Sequence, residues 1–145
     1  MSSERIVHQE YFEAVRRLMP VAEFSDTGLL LDANDHFLAL TGYDLWEIQD
    51  KHHRTLCDPC YAESSEYRLF WSSLAAGQSR TNETQRVHKT GRPIWVRASY
   101  SPVVDDYGEV LIIINLVLDL TSTRRNLSAL HYKMRPIKVS EQDNT

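Results

Sequence analysis

The feature that most constrains the fold is an apolar run over residues 110–118, in which Asn115 is the only polar residue. Residues 111–114 are apolar at every position, so an extended strand there would bury both of its faces, which is typical of a strand in the middle of a sheet. The run is less than half of the roughly 20 residues that a membrane-spanning helix needs. It therefore predicts a central strand, and we expect no membrane insertion.

Four other segments have the length and turn signals of strands, at residues 21–25, 29–32, 80–88 and 94–103. Turn residues separate them at positions 26–28 and 89–92, and a third turn at 105–108 leads into the apolar run. Helical patterns occupy the stretch between the second and third strands. This order predicts an α+β fold in which helices pack on one face of a five-stranded antiparallel sheet.

The helical segments have recognisable starts and stops. Asn34 or Asp35 begins a short helix that ends at Gly42, Asp44 can cap a second, and Pro59 is expected to break the irregular turns before it. Ser64 caps a firmer helix, which ends at residue 77 and carries one apolar stripe: Tyr67, Phe70, Trp71 and Leu74.

The first 20 residues form a separate amphipathic helix, which Pro20 ends. Its apolar positions recur at helical spacing and would stay exposed in a monomer, so they predict a homodimer through this helix: Val7, Tyr11, Val15 and Leu18. At the other end of the chain we expect an exit helix over residues 122–135 and a disordered tail over 136–145.

Composition excludes several classes of function. Sixteen Lys and Arg against twenty Asp and Glu give a net charge of −4, so there is no bulk positive field for a nucleic acid partner. No basic and apolar leader opens the chain, and we expect a cytoplasmic protein. The sequence has no glycine-rich phosphate loop, nucleophile elbow or kinase motif, which predicts that the protein is not an enzyme.

A set of short motifs in a fixed order then resembles the PAS sensory domain. They are Asp26-Thr27-Gly28, Ala33-Asn34-x-x-Phe37, Thr41-Gly42-Tyr43, Lys89-x-Gly91, Trp95, Pro102, Gly108 and Asp119-x-Thr121. The resemblance covers residues 21–121, and the stretches around residues 51–60 and 65–71 are most similar to PAS modules of bacterial chemotaxis and aerotaxis receptors. Asp50 stands where the family usually has glycine.

The resemblance implies a pocket between the helices and the sheet that holds FAD, FMN, haem or nothing. Trp71 occupies the position of a tryptophan in flavin-binding members, where an indole can stack on the isoalloxazine ring, although it also suits an ordinary core residue. In light-oxygen-voltage members a photoreactive cysteine precedes an arginine. His53 stands in that position before Arg54, which excludes flavin–thiol chemistry there.

His53 has several possible roles in such a pocket. Its imidazole can ligate a haem iron, hydrogen-bond a flavin edge or titrate as a switch, or it can simply cap a helix end. His52, His53, Cys57 and Cys60 together contain zinc-type ligands, but adjacent histidines on a helix point apart and do not easily share one metal ion. The two cysteines are otherwise a redox pair or two ordinary thiols in a loop.

Strand alternation supplies the remaining candidates. Alternation puts Tyr100 and Trp95 on opposite faces of their strand, and the resemblance to flavin-binding PAS domains implies that the face of Tyr100 looks into the pocket. The equivalent face of the last strand carries Asn115, unless that face is turned outward. The predicted cofactor-binding residues are thus Asn34, His53, Cys57, Trp71, Tyr100 and Asn115.

These features predict a sensory module that detects a redox, oxygen or small-molecule signal through its pocket. The signal would be relayed through Asp119 and Thr121 to the exit helix, and from there to a downstream protein or effector domain. The alternative is a PAS dimerisation and interaction module that binds no cofactor.

Overall fold

A computed structural model of the chain describes residues 3–123 and residue 130, and side chains at residue 7 and from residue 9 onward within that part. The predicted exit helix and tail therefore lie almost entirely outside the described residues. The helix α1 spans Ser3–Leu18 and precedes the hairpin of β1 (Val21–Phe24) and β2 (Leu30–Ala33).

Four helices and one 3₁₀ turn follow the hairpin. They are α2 (Asp35–Thr41), α3 (Leu45–Ile48), the 3₁₀ turn His53–Leu56, α4 (Pro59–Ala62) and α5 (Ser65–Ala75). Three strands then complete the described part: β3 (Arg80–Val87), β4 (Pro93–Val104) and β5 (Val110–Asp119). No helix within this part of the chain is both long enough and apolar enough to cross a bilayer.

The five strands form one antiparallel sheet in the order β2-β1-β5-β4-β3. The predicted α+β class is confirmed, and β5 lies in the middle of the sheet, as its two apolar faces require. The inner faces of β4 and β5 are buried against the helices, with Ala98 and Ile113 nearly inaccessible to solvent. The core thus lies between one face of the sheet and the helical middle of the chain.

Local side-chain contacts explain where these helices begin. Asn34 caps α2 by accepting a hydrogen bond from the Phe37 N–H at 3.0 Å, and Ser64 caps α5 by accepting from the Tyr67 N–H at 3.1 Å. The break expected before Pro59 is present, because the 3₁₀ turn ends at Leu56, but Pro59 also begins a helix that the sequence did not predict. Pro59 is the first residue of α4, a position where its missing N–H costs no hydrogen bond.

Two residues within this helical region hold the left-handed backbone conformation. Gly42, with φ of 81°, ends α2, and Asp50, with φ of 65°, lies just before the 3₁₀ turn. The family resemblance described above implies a glycine at position 50, which is the residue that this backbone conformation favours, and here Asp50 adopts it at some energetic cost.

Candidate functional site

The 3₁₀ turn places the side chain of His53 in the core. The His52 ring accepts a hydrogen bond from the Arg54 N–H at 3.0 Å, which caps the turn, and the His53 N–H donates to the Gly28 carbonyl at 2.8 Å. These contacts fix the turn beneath the β1–β2 hairpin. The His53 side chain consequently points inward and is only 2% exposed.

His53 is hydrogen-bonded through both ring nitrogens. Nδ1 lies 2.8 Å from the Tyr67 hydroxyl on α5, and Nε2 lies 2.8 Å from the Tyr100 hydroxyl on β4. Tyr100 in turn accepts a hydrogen bond from the Arg86 guanidinium on β3 at 3.1 Å. One buried chain of polar groups therefore connects the 3₁₀ turn, α5, β4 and β3.

A neutral imidazole has one N–H donor and one acceptor nitrogen, so one tyrosine partner of His53 donates to the ring and the other accepts from it. Because Tyr100 accepts from Arg86, its own O–H can donate to His53 Nε2, which leaves the Nδ1–H to donate to the Tyr67 oxygen. This arrangement requires a neutral imidazole. Burial, with lesser contributions from the charges of Arg86 and His52, lowers the pKa of His53 well below its usual value, and the ring is neutral at pH 7.

A small cavity lies beside this network, between the helices and the inner face of the sheet. Its volume of about 20 Å³ has room for about one water molecule. Most of the lining residues are apolar, and the polar residues among them, Thr41, His53, Arg86, Tyr100 and Asn115, present only apolar surface to the cavity. Three of the predicted cofactor-binding residues, His53, Tyr100 and Asn115, are thus brought together at one cavity.

Asn34, the fourth predicted residue, does not line this cavity. Its amide nitrogen donates to the carbonyls of Arg16 at 2.8 Å and Met19 at 2.9 Å, and its oxygen accepts from the N–H groups of Phe37 and Val21. All of these partners are backbone groups. Asn34 therefore attaches the end of α1 to β1 and α2, and its short side chain is fully occupied there.

Trp71 and Cys57 lie next to the network without lining the cavity. The Trp71 ring packs edge-on against His53 at 5.3 Å and Phe24 at 5.8 Å. Its N–H has no acceptor in hydrogen-bond geometry among the described residues. Burial raises the pKa of the neighbouring Tyr67, and the Trp71 indole opposes part of that rise. The Cys57 sulfur lies 3.5 Å from His53 Nδ1, and burial raises the pKa of this thiol.

The four His and Cys side chains of residues 52–60 do not all meet at one position that could hold a metal ion. His53 and Cys57 are buried, whereas Cys60 is exposed on α4, and the His52 ring packs against the backbone at Gly28. Within the described residues no group of three or more His, Cys, Asp or Glu side chains is placed to hold a metal ion.

Asn115 faces inward and is 2% exposed. Its amide nitrogen donates to the Ser99 carbonyl at 3.1 Å, across the β4–β5 pairing. The prediction that its face of β5 looks toward the cavity is confirmed, and its partner is the backbone of the neighbouring strand.

Arg86 is a member of the site that the sequence argument missed. It stands in a strand of mostly polar residues, yet it is only 6% exposed. The strand register could have revealed its burial. In the β3–β4 hairpin Arg86 pairs with the buried Ile94, so both side chains lie on the same face of the sheet.

The last strand leads from the cavity to the end of the described chain. Beyond β5, the Leu120 N–H donates to the Trp95 carbonyl at 2.7 Å, and the Thr121 hydroxyl accepts from the Trp95 N–H at 3.1 Å. Asp119 accepts from the Thr121 N–H at 2.9 Å. The Asp119-x-Thr121 motif thus clamps the start of the exit segment onto β4.

Comparison with known proteins gives one family and several relatives. A family model described as the PAS fold matches residues 30–117. The biofilm dispersion protein BdlA of Pseudomonas aeruginosa is 36% identical over 131 residues, which is 87% of this chain and 31% of that protein. A blue-light-activated histidine kinase of Brucella anthropi is 30% identical over 78% of this chain and 23% of that protein. The chain therefore spans about a third or less of the length of these curated relatives.

Solved structures agree on the architecture. An RNA-binding light-oxygen-voltage receptor aligns with a TM-score of 0.68 at 21% identity, over 93% of this chain and 40% of that one. The PAS domain of a protein from Colwellia psychrerythraea gives the same TM-score at 17% identity, over 80% of this chain and 98% of that one. At these identities the likeness supports the fold alone.

Proposed function

The chain belongs to the PAS family, and on that premise we propose that it is a sensory module whose central cavity detects a small-molecule or redox signal. The observation that carries the proposal is the buried chain from Arg86 through Tyr100 to His53 at the cavity wall. An occupant of the cavity that displaces these side chains would rearrange the buried hydrogen bonds that they make. The proposed role is binding and relay, without a catalytic step.

The route of the signal follows β5. Asn115 and Val117 line the cavity, and the clamp of Thr121 on Trp95 lies just beyond the end of the same strand. A ligand that prefers one of two positions of β5 relative to β4 would therefore bias the clamp, since a ligand shifts an equilibrium only through different affinities for its states. The receiver is a downstream domain or protein, which agrees with the greater length of the relatives.

Flavin is one candidate for the occupant, because relatives of this chain are named as blue-light-activated kinases. The cavity in the described structure does not fit an isoalloxazine ring, since about 20 Å³ is far below the roughly 300–1,000 Å³ of sites for ligands of that size. Tyr100 and Phe70 fill the space, with ring centroids 4.9 Å apart. Flavin binding therefore requires these side chains to move, and it stays a prediction.

Haem fits the described arrangement no better. Both nitrogens of His53 are already hydrogen-bonded to tyrosine hydroxyls, so neither is directed at an open coordination position. The prediction that His53 ligates a haem iron requires its bonds to Tyr67 and Tyr100 to break.

A cofactor-free interaction module is the second candidate function, favoured by the small cavity and by the exposure of α1. Val7, Tyr11 and Leu18 on this helix are 43%, 68% and 81% exposed, and Val15 is half-buried. We propose that a second copy of the chain covers this stripe in a homodimer.

An absorbance spectrum separates the two functions. The purified chain is recorded alone and after incubation with FMN, FAD and haemin, followed by removal of unbound cofactor. A retained flavin or Soret band supports a cofactor sensor, and its loss in His53→Ala assigns the band to this pocket. A spectrum with only aromatic absorbance rejects the cofactor and leaves a small colourless ligand or the interaction module.

Sedimentation velocity tests the homodimer. Tyr11→Glu on α1 should shift the chain toward the monomer, whereas Tyr107→Glu, in the exposed β4–β5 turn, should not. Equal sedimentation of both variants and the parent chain would exclude α1 as the interface.

A further inference from the structure

The two edges of the sheet differ in how far the rest of the chain covers them. At one edge, the Leu30 N–H of β2 donates to the Lys51 carbonyl at 2.9 Å, and the Asp50 N–H donates back to the Leu30 carbonyl at 2.8 Å. Leu29 also forms an antiparallel bridge with His52. The segment before the 3₁₀ turn therefore closes the β2 edge.

The opposite edge, formed by β3, is open. β3 pairs with β4 in unbroken register over its whole length, Arg80–Val87, and has no neighbour on its other side in the described part of the chain. In an antiparallel strand with one neighbour, the N–H and C=O groups of every second residue point away from that neighbour. No backbone hydrogen bond from another described segment reaches these groups in β3.

A groove open to solvent runs along this edge, between β3 and the helices α4 and α5. Its volume is about 390 Å³, which lies within the range of roughly 300–1,000 Å³ that is usual for binding sites. The β3 wall consists of the consecutive residues 80–84. Because successive side chains of a strand point to opposite faces, the main chain between them borders the groove as well. This wall is about 13 Å long, the length of five extended residues.

The helical wall of the groove carries an unpaired negative charge. Glu66 and Phe70 lie one helical turn apart on α5, and Tyr61 of α4 completes this wall. The Glu66 carboxylate forms no salt bridge within the described residues. Asn82 of β3 pairs with the buried Ala98, so the even-numbered residues of β3 face the helices. A strand added beside β3 would share these faces, and every second side chain of it would point toward the wall with Glu66.

The charges of the groove lie toward opposite ends of β3. Tyr61 is at the far end from Arg80, because its ring centroid is 5.9 Å from the guanidinium of Arg86. Glu66 is close to Tyr61, since its charge adds to the effect of burial, the main cause of the raised Tyr61 pKa. Glu83, on the other face of β3, is paired with Arg97 at 2.8 Å. A basic side chain near Glu66 would therefore meet an unpaired carboxylate and stay away from Arg80.

We propose that the β3 edge binds an extended segment of a partner protein, which adds to the sheet as a sixth strand and carries a Lys or Arg side chain that faces Glu66. Main-chain hydrogen bonds to β3 supply the affinity, and the helical wall selects the side chains at alternate positions. The inference goes beyond the proposed function, because this surface includes neither the central cavity nor the clamp of Thr121 on Trp95.

Titration with a synthetic peptide tests the edge. The probe is the blocked peptide acetyl-Thr-Val-Lys-Val-Thr-Val-Thr-amide, added up to millimolar concentration to the full ¹⁵N-labelled chain at pH 7. We expect saturable shifts of the amide resonances of residues 80–84, together with slower hydrogen exchange of those amides whose N–H groups point away from β4. Absent or non-saturating shifts in residues 80–84 would overturn the proposal.

Backbone methylation distinguishes strand addition from attraction between charges alone. Two further peptides carry N-methyl groups on either the odd-numbered or the even-numbered residues, whose N–H groups lie on opposite edges of an extended chain. One of them loses the donors to β3 and should bind at least about tenfold more weakly, whereas the other should bind like the parent peptide. Equal affinities of the two methylated peptides would rule out a sixth strand.

A charge exchange tests the role of Glu66. The parent chain should bind the peptide up to about fivefold more tightly than a version with Glu in place of its Lys, in line with an exposed ion pair. Glu66→Lys should reverse this preference. Glu109→Lys makes the same change in net charge at an exposed position of the β4–β5 turn and should keep it. An unchanged preference in E66K, or a reversal in both variants, would reject a basic segment as the occupant.

A second copy of the chain is the competing occupant of this edge. If β3 paired with β3 of another copy, the outward amides of residues 80–84 would exchange slowly in a concentrated sample without peptide, and faster after dilution. That result would overturn the proposal of a partner segment. Fast exchange of these amides at every chain concentration, slowed only by the peptide, would support it.

Discussion

The imidazole Nε2 of His53 lies 2.8 Å from the hydroxyl oxygen of Tyr100, although the two residues are 47 positions apart in the sequence. Both side chains are almost completely buried. This hydrogen bond joins the helical side of the cavity to the sheet, because His53 belongs to the 3₁₀ turn and Tyr100 to β4. It also links the neutral His53 to the cationic Arg86.

Removing the Tyr100 hydroxyl should destabilise the protein. Tyr100→Phe leaves His53 Nε2 without its partner and removes an acceptor from Arg86, and one unsatisfied buried polar group costs about 1–3 kcal/mol. Urea unfolding followed by fluorescence measures the loss. Tyr107→Phe is the control, since the Tyr107 side chain is exposed. Equal stability of the two variants would show that the buried network contributes nothing.

Stability should fall as the pH drops below the usual histidine pKa of 6.5. Burial lowers the pKa of folded His53, so in this range the unfolded chain binds a proton that the folded chain does not, and folding loses up to about 1.4 kcal/mol per pH unit. The groups around the ring that carry or can take charge are Arg86, His52, Cys57, Tyr67 and Tyr100.

The variant His53→Gln isolates this contribution. It is expected to be less stable than the parent chain at pH 7.5, yet to lose less stability between pH 6.5 and about pH 5, because the proton-binding difference at this position is gone. His52, whose pKa is also lowered by burial, is present in both proteins. Parallel pH profiles would mean that His53 does not stay neutral in the folded chain.

Two substitutions of Asn34 distinguish its role as the cap of α2 from its role in attaching α1. Asn34→Asp keeps an oxygen that accepts from the Phe37 N–H but loses the amide donor to Arg16 and Met19. We expect α2 to persist while α1 detaches, and an isolated helix of that length is marginal in water. Hydrogen–deuterium exchange should therefore accelerate in residues 9–19. Asn34→Ala should cost about 1 kcal/mol more through loss of the cap, and unchanged exchange in N34D would refute the attachment.

The clamp on β4 can be tested with a pair of nearby threonines. Thr121→Val removes the hydroxyl that accepts from the Trp95 N–H, while keeping the shape of the side chain. Thr123→Val is the control, since Thr123 is exposed. Amide exchange at Trp95 should be about fivefold faster in T121V, in line with the net ~1 kcal/mol of a hydrogen bond. A similar rate in both variants would indicate that the clamp is not held by this contact.

Gly42 and Gly77 form a further matched pair. Both have positive φ, so alanine at either position costs roughly 1–2 kcal/mol of backbone strain. At Gly42 a Cβ would also come within 2.3 Å of the His88 ring, whereas at Gly77 nothing lies within 4 Å. Hydrogen bonds to Thr90 hold that ring in place. Gly42→Ala should thus lower the thermal midpoint clearly more than Gly77→Ala, and equal midpoints would show that His88 moves aside.

Local signals predicted most of the fold. The two apolar faces at residues 111–114 placed β5 in the centre of the sheet, and the capping residues Asn34 and Ser64 marked the starts of α2 and α5. Pro59 correctly marked the break after the 3₁₀ turn, but the helix α4 that it begins was not predicted, because a proline that ends one helical segment can also begin the next.

The candidate site was less predictable, because it depends on pairings between distant residues. Strand alternation grouped the residues of each face by local geometry, and the family resemblance implied that Tyr100 and Asn115 lie on the inward faces. The side chain of Asn34 was predicted to contact a cofactor, whereas in the structure it attaches the end of α1. The sequence could not distinguish these two roles, because the contact with α1 is a tertiary one. Arg86 was missed because its burial follows from its register with β4, and a polar strand composition conceals that register.

The position of β5 also has a mechanical consequence. It pairs with β4 over nine residue pairs but with β1 over four, so the sheet has a weak seam between β1 and β5. A force applied where the chain leaves the sheet acts through the Trp95 contacts on the long β4–β5 pairing, and β3 supports that pairing from the other side of β4. The shorter β1–β5 pairing is the weaker of the two. We therefore expect β1 to separate from β5 before β4 does. Helix α1 would move together with β1, because Asn34 attaches it to that strand.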